Sequence, residues 1–228
     1  MSGRKERRKL KYTLLNNGAD SLKSAFENIE AFDEILEGGY HRLKDAVIFL
    51  NHGVEILLKL ILKNHSPSLM FENIDAYLKA KEELKKKPKA KNVFGVNKNL
   101  KTVTLLEALK RVEYLCDIEI PENFRASIMY INDIRNRIMH YEIELDDDER
   151  EKLVKALKYC YEEAVNFFES HIEDLEIIIE ESRFELTQEE YWHEQAEIHA
   201  EMWYQAQKEE GYIDWVEGAL EDLGEGKW

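Results

Sequence analysis

Glycine and proline are scarce in this chain, at 10 and 3 of 228 residues. That leaves few turns for a sheet protein, and the abundance of Leu, Glu, Lys, Ala and Ile favours helices. There are two cysteines, Cys116 and Cys160. Neither has a CxxC partner, so a metal knuckle is not expected; both sit in apolar helical patterns and read as buried, reduced thiols of a cytoplasmic protein. No apolar core follows Met1-Ser2-Gly3-Arg4-Lys5-Glu6-Arg7-Arg8, so no secretory signal is read there. The longest apolar runs are broken by charge, which argues against a membrane span. The sequence holds no Walker loop, dinucleotide fingerprint or HExxH. No cofactor and no metal are therefore expected.

The formal charge of −15 speaks against a plain duplex-DNA coater. It is unevenly spread. Residues 1–141 carry 25 Lys and Arg against 19 Asp and Glu, whereas residues 142–228 carry 7 against 28. The first part can meet a phosphate backbone and the second would repel one.

Hydrophobic periodicity predicts an all-α protein. Residues 1–20 read as a basic arm, with Asn16-Asn17-Gly18 as a turn. Residues 21–184 read as a helical bundle. Its first helix is expected over Ser21–Leu36, stopped by Gly38-Gly39. A second follows over Tyr40–Lys63, with Leu43, Val47, Leu50, Val54, Leu57, Leu58 and Ile61 as its stripe, apolar enough to be central. Ser66-Pro67 reads as a helix start, with a short helix over Leu69–Leu84. Residues 85–101 read as a basic loop, in which Lys85, Lys86, Lys87, Lys89 and Lys91 are candidate phosphate contacts; the alternative is a solvated linker. Helices are expected over Thr104–Cys116, from Pro121 to about Tyr141, and from Glu149 to Glu181 behind the carboxylates of Asp146-Asp147-Asp148. Residues 185–228 form an acidic extension holding all four tryptophans, in which Thr187 to Glu190 fits a capping box opening a helix to Lys208, with a last helix over Ile213–Leu223.

The most chemically pointed stretch is Arg135-Asn136-Arg137-Ile138-Met139-His140. On a helix at about 100° per residue, Ile131, Ile134 and Ile138 mark the core face, with Ser127 and Tyr141 nearby. Asn136 falls about 170° and His140 about 150° from its centre, and Arg135 sits at the boundary, about 70° off. Asn132, Asn136 and His140 thus line one outward ridge at i, i+4, i+8, flanked by Arg135. Two plain readings stand beside a catalytic one: His140 is a solvated residue at a helix end, or the ridge is a polar network packed under another helix.

Arg-Asn-x-x-x-His near a helix end resembles the signature of the HEPN superfamily, small all-helical domains of which many are metal-independent endoribonucleases of toxin–antitoxin, phage-defence and CRISPR-associated systems. The preceding Asn51-His52-Gly53-Val54-Glu55-Ile56-Leu57-Leu58-Lys59 resembles the second helix of many such domains. The resemblance covers helical order from about Ser21 to Glu181 and says nothing of residues 185–228. It implies a HEPN-like bundle and cleavage of RNA by 2′-hydroxyl attack, leaving a 2′,3′-cyclic phosphate and a 5′-hydroxyl. His140 is suited to proton transfer and Arg135 to the charge on the phosphorane. Asn136 would orient the imidazole or the phosphate, with Asn132 and Arg137 in support. Such domains commonly pair two motif helices, so a homodimer with a shared cleft is implied. Some of these toxins are silenced by nucleotide transfer to a tyrosine two residues after the histidine; here that position is Glu142, and Tyr141 adjoins the histidine.

Glu55 and Lys59 form an i, i+4 pair. Either Glu55 holds Arg135 in place, or the two are a polar pair on a core helix. His193 and His199 are six residues apart and poorly aligned for a metal, and His41, His52 and His65 look scattered. The acidic, tryptophan-bearing extension suggests a surface for a protein partner, or a plain helical appendage. The leading expectation is an endoribonuclease acting as a toxin or antiviral effector. The alternative is a catalytically silent helical module that binds RNA or protein, an antitoxin or regulatory subunit.

Overall fold

A computed structural model describes residues 12–224. Among them are eight α-helices and no strands; the nearest thing to a sheet is a single antiparallel bridge between Phe71 and Thr102. The chain divides into two compact units, with the boundary between Arg183 and Phe184.

The first unit is organised around two helices, α1 (Leu14–Asp33) and α2 (Tyr40–His65). The expected stripe of α2 is fully or almost fully buried, from Leu43 to Ile61. Gly38 and Gly39 separate the two helices with φ of 82° and 78°, the left-handed region that a side chain disfavours. Helix α1 begins seven residues earlier than the periodicity predicts. Thr13 caps it by accepting from the Asn16 amide (3.0 Å), so Asn16, Asn17 and Gly18 are helical rather than a turn. The part of the expected basic arm at residues 1–11 lies outside the described residues. Gly18 serves close packing instead: a Cβ there would stand 2.5 Å from Leu57 Cδ2 and 2.7 Å from Leu57 Cγ. On the facing helix, a Cβ on Gly53 would stand 2.9 Å from Leu22 Cδ2 and 3.3 Å from the Gly18 carbonyl oxygen. Two glycines thus let the backbones approach.

After α2, Ser66-Pro67 opens only a one-turn 3₁₀ segment, Pro67–Met70. The next α-helix, α3 (Ile74–Lys86), starts later because Asn73 is its cap, accepting from the Ala76 amide at 2.8 Å. It also ends later, so Lys85 and Lys86 occupy its last turn rather than a loop. A small satellite core of Phe71, Tyr77, Ala80 and Leu100 holds this region together. Arg111, on α4 (Leu105–Leu115), clamps it to the bundle by donating through Nη1 to the carbonyls of Leu69 and Phe71, both at 2.8 Å.

Helix α5 (Glu122–His140) carries the hexad and packs against α2. Its successor α6 (Asp147–Glu169) opens on a capping box between Asp146 and Glu149. The single long helix expected to Glu181 is broken: α6 ends at Glu169, and α7 (Leu175–Glu181) follows a turn in which Asp174 has φ 57°. Phe168, Ile172, Leu175 and Ile179 keep helical spacing across the break and are all buried, which is why periodicity missed it. Both cysteines are free and buried, and burial pushes the Cys160 thiol up to about 12. No helix among the described residues is long and apolar enough to cross a membrane.

The described part of the second unit holds one helix, α8 (Gln188–Gly224), where two were expected. The Thr187–Glu190 capping box forms: the Thr187 amide donates to Glu190 Oε2 (2.7 Å) and the Glu190 amide to Thr187 Oγ1 (3.1 Å). Trp192 and Trp203 are exposed on it.

The close approach of α1 and α2 leads to a stability prediction. Gly18→Ala improves helix propensity by about 1 kcal/mol but forces fully buried Leu57 aside, and overpacking costs about 1–3 kcal/mol. The expected net result is a loss on the order of 1 kcal/mol, read as a lower urea midpoint at unchanged slope.

Candidate functional site

Helix α5 buries Phe124, Ile128, Ile131 and Ile134 and half-buries Ile138. This fixes the rotation of the helix, and with it the ridge. Asn136, Arg137 and His140 are exposed, and Asn132 and Arg135 are half-buried at the boundary. The outward ridge expected from the helical angles is therefore present. Tyr141 departs from the core-side expectation: it lies one residue past the helix with extended backbone and is largely exposed beside the motif.

Within the motif, Arg135 Nη1 donates to Asn136 Oδ1 at 3.0 Å. His140, the last helical residue, has no hydrogen-bond or ion-pair partner among the described residues. Its imidazole is free to meet a ligand, one turn on from a carboxamide that is held by the guanidinium.

Glu55 does not hold Arg135. Its Oε1 accepts from Lys59 Nζ at 2.6 Å, and the same ammonium donates to Thr102 Oγ1 at 3.1 Å. Lys59 is buried, so this pair fixes a cation that would otherwise be costly to desolvate. The polar-pair reading is the one the geometry supports. The reason is reach: Lys59 lies one turn from Glu55 on the same helix, whereas Arg135 is drawn to Asn136.

His52 has surroundings that the sequence did not reveal. It looked isolated in the chain, but α2 presents it to the α5 boundary, where the Arg135 charge acts on it. Partial desolvation holds its pKa below the ordinary 6.5, and the Lys59 and Arg135 cations push the same way, against Glu55 and Asp20. Although the residue as a whole is exposed, its ring is thus biased toward the neutral form. The signal was available in the spacing: His52, Glu55 and Lys59 stand at i, i+3, i+7 on one side of α2. Of the motif residues, Arg135 is the one whose charge reaches His52.

The other candidates are dispersed. Lys85, Lys86, Lys89 and Lys91 are exposed, and Lys87 pairs with Glu83 at 3.2 Å. On α8, His193 lies 3.5 Å from Glu197, a pair that is charged only when the imidazole is protonated. No group of three or more His, Cys, Asp or Glu side chains is gathered for a metal among the described residues.

Compared with known protein families, curated proteins and solved structures, the chain matches none.

The neighbourhood of His52 is testable by NMR titration of the histidine rings, with the His52 signal assigned by its loss in His52→Gln. Its pKa is expected below 6.5, and Arg135→Ala is expected to raise it by removing a repelling charge. The sign for stability follows. The unfolded chain takes up a proton at this ring before the folded protein does, so the contribution of His52 is complete above about pH 6.5 and is lost as pH falls through the lower folded value. An unchanged His52 pKa in Arg135→Ala would separate the two groups.

Proposed function

We propose that this protein is a metal-independent endoribonuclease of the HEPN type, with His140 and Arg135 at the centre of its site. The observation that carries the reading is the exposed, unpartnered imidazole of His140 one turn beyond Asn136, whose amide oxygen is held by Arg135. In this reaction the 2′-hydroxyl attacks the adjacent phosphorus, a base takes its proton, and an acid protonates the departing 5′-oxygen. The guanidinium meets the negative charge gathering on the phosphorane oxygens. Asn136 orients the imidazole or the phosphate, and Asn132 and Arg137 flank them. His52, on the helix that α5 packs against, is a second imidazole available to this chemistry, so base and acid need not both be His140.

The active form is proposed to be a homodimer in which two motif helices face one cleft. Supporting this, Met139 and Tyr141 beside the ridge are 48% and 85% exposed, apolar surface next to polar groups. A role as a toxin or antiviral effector, with an antitoxin or regulatory protein as a further partner, follows from the resemblance of the hexad and is part of the proposal. A second reading also has an observation behind it. An imidazole standing alone in solvent is equally suited to holding a phosphate in a catalytically silent RNA- or protein-binding module.

One experiment separates the two. Purified protein is incubated with total RNA in EDTA beside His140→Ala and Arg135→Ala. Each substitution is expected to lower cleavage at least about a hundredfold, the scale of general acid–base and electrostatic contributions, with helicity by circular dichroism and sedimentation as a dimer unchanged. Equal cleavage by His140→Ala and the unsubstituted protein contradicts the catalytic assignment; RNA binding without cleavage by all three supports the silent module.

A further inference from the structure

A cavity of about 620 Å³ lies away from the hexad, between the start of α1, the end of α2, α3 and the 3₁₀ turn at Val93–Gly95. Three lysines from three separate segments line it: Lys63 in the last turn of α2, Lys81 on α3, and Lys91 in the connection that follows. Among the described residues no Asp or Glu lines it, although the chain carries 47 of them. None of the three lysines has an ion-pair partner among the described residues. The groove beside the hexad at Tyr40, Ile138 and Leu153 also has two cations and no acid in its lining. There, however, Lys44 is paired with Asp45 and Arg150 with Asp147. The α3 cavity is distinguished by positive charge that no described acidic residue answers.

The same cavity is aromatic. Phe71 and Tyr77 are nearly buried in its wall and stack on each other, with ring centroids 4.7 Å apart. Phe94 leans on Phe71 at 5.6 Å and is 40% exposed, and Tyr12 stands 80% exposed at the rim. Asn17, also in the lining, has no side-chain hydrogen-bond partner among the described residues, leaving a donor and an acceptor for a base edge. Uncompensated lysines beside exposed flat rings match the two parts of a nucleotide, a phosphate and a base with a π face. They do not match an acidic peptide, which offers charge without flat rings, or a duplex, whose bases are stacked away.

We propose that this cavity binds a nucleotide unit of a single-stranded nucleic acid, with Lys63, Lys81 and Lys91 on the phosphate and Phe94 and Tyr12 against the base. It is a binding site apart from the hexad and requires no catalysis, so it stands or falls independently of the nuclease reading. It also reassigns the basic character of this region. Of the five lysines singled out in the sequence, only Lys91 faces the cavity; Lys63 and Lys81 come from helices.

The test is fluorescence anisotropy of the full chain with a labelled 2′-O-methyl oligoadenylate 12-mer, which cannot be cut by 2′-hydroxyl attack. Failure of the nuclease reading therefore leaves this measurement intact. The triple substitution Lys63→Gln, Lys81→Gln, Lys91→Gln is expected to weaken binding about tenfold or more and to reduce the salt slope by about two, at roughly 0.7 per lysine removed from a single-strand contact. Tyr12→Ala and Phe94→Ala are each expected to weaken binding about fivefold or more with the slope unchanged; Tyr12 is exposed enough that its removal does not threaten the fold. Lys85→Gln, Lys86→Gln, Lys89→Gln removes the same charge outside the cavity and is expected to change affinity less than about threefold. AMP is expected to displace the 12-mer at concentrations where inorganic phosphate does not. Equal losses from the two lysine triples, equal displacement by phosphate, or no binding by the unsubstituted protein would overturn the proposal.

Discussion

The contact between α1 and α2 is the constraint on which the rest of the first unit depends. Gly18 and Gly53 let the two backbones meet with Leu22 and Leu57 filling the space a Cβ would take. That approach buries one face of α2, and α4, α5 and α6 pack on others, leaving His52 at an exposed edge. Once α2 is fixed in rotation, so are the three polar residues on its boundary, His52, Glu55 and Lys59. Helix α5, laid against α2 by Ile128, Ile131 and Ile134, then has one orientation in which its isoleucines are dry. In that orientation Arg135 reaches the boundary while Asn136 and His140 face water. The candidate site on the surface is thus positioned by a core that contains none of its atoms.

The two sides of this polar boundary differ in rigidity. Lys59 is buried and held by both Glu55 and Thr102, and breaking a hydrogen-bonded, desolvated cation of this kind costs a few kcal/mol. Arg135 is held by one hydrogen bond to a neighbouring, exposed side chain, and an exposed contact of that kind contributes less than about 1 kcal/mol. The Lys59 side therefore belongs to the scaffold. The Arg135–His140 side is free to re-form around a phosphate, since exchanging a carboxamide for an anionic oxygen strengthens the guanidinium's bonds.

Much of this was legible in the sequence, for physical reasons that also explain the misses. Helix α2 and the polar ridge of α5 were readable because an apolar stripe at three- and four-residue spacing has one solution. The break after Glu169 was hidden because Phe168, Ile172, Leu175 and Ile179 keep that spacing through a turn. Asn16-Asn17-Gly18 looked like a turn because the reason for the glycine lies on another helix, at Leu57. The choice between the two readings of Glu55, and the surroundings of His52, could not be read from the chain for a related reason. Which cation a carboxylate chooses, and which side chain approaches an imidazole, is decided by tertiary distance. The lysine-rich segment drew attention by its density, yet the lysines that share a cavity come from three elements and only one of them from that segment.

Central to the account is cleavage by the RNA's own 2′-hydroxyl, assisted by side chains. The most direct measurement is mass spectrometry of the fragments left from a defined RNA oligonucleotide in EDTA, beside the same oligonucleotide carrying one 2′-deoxy sugar at the cleaved position. The account predicts 2′,3′-cyclic phosphate and 5′-hydroxyl ends from the first and no cleavage at that position in the second. Fragments ending in 3′-hydroxyl and 5′-phosphate, or cutting that continues at the deoxy sugar, would contradict it.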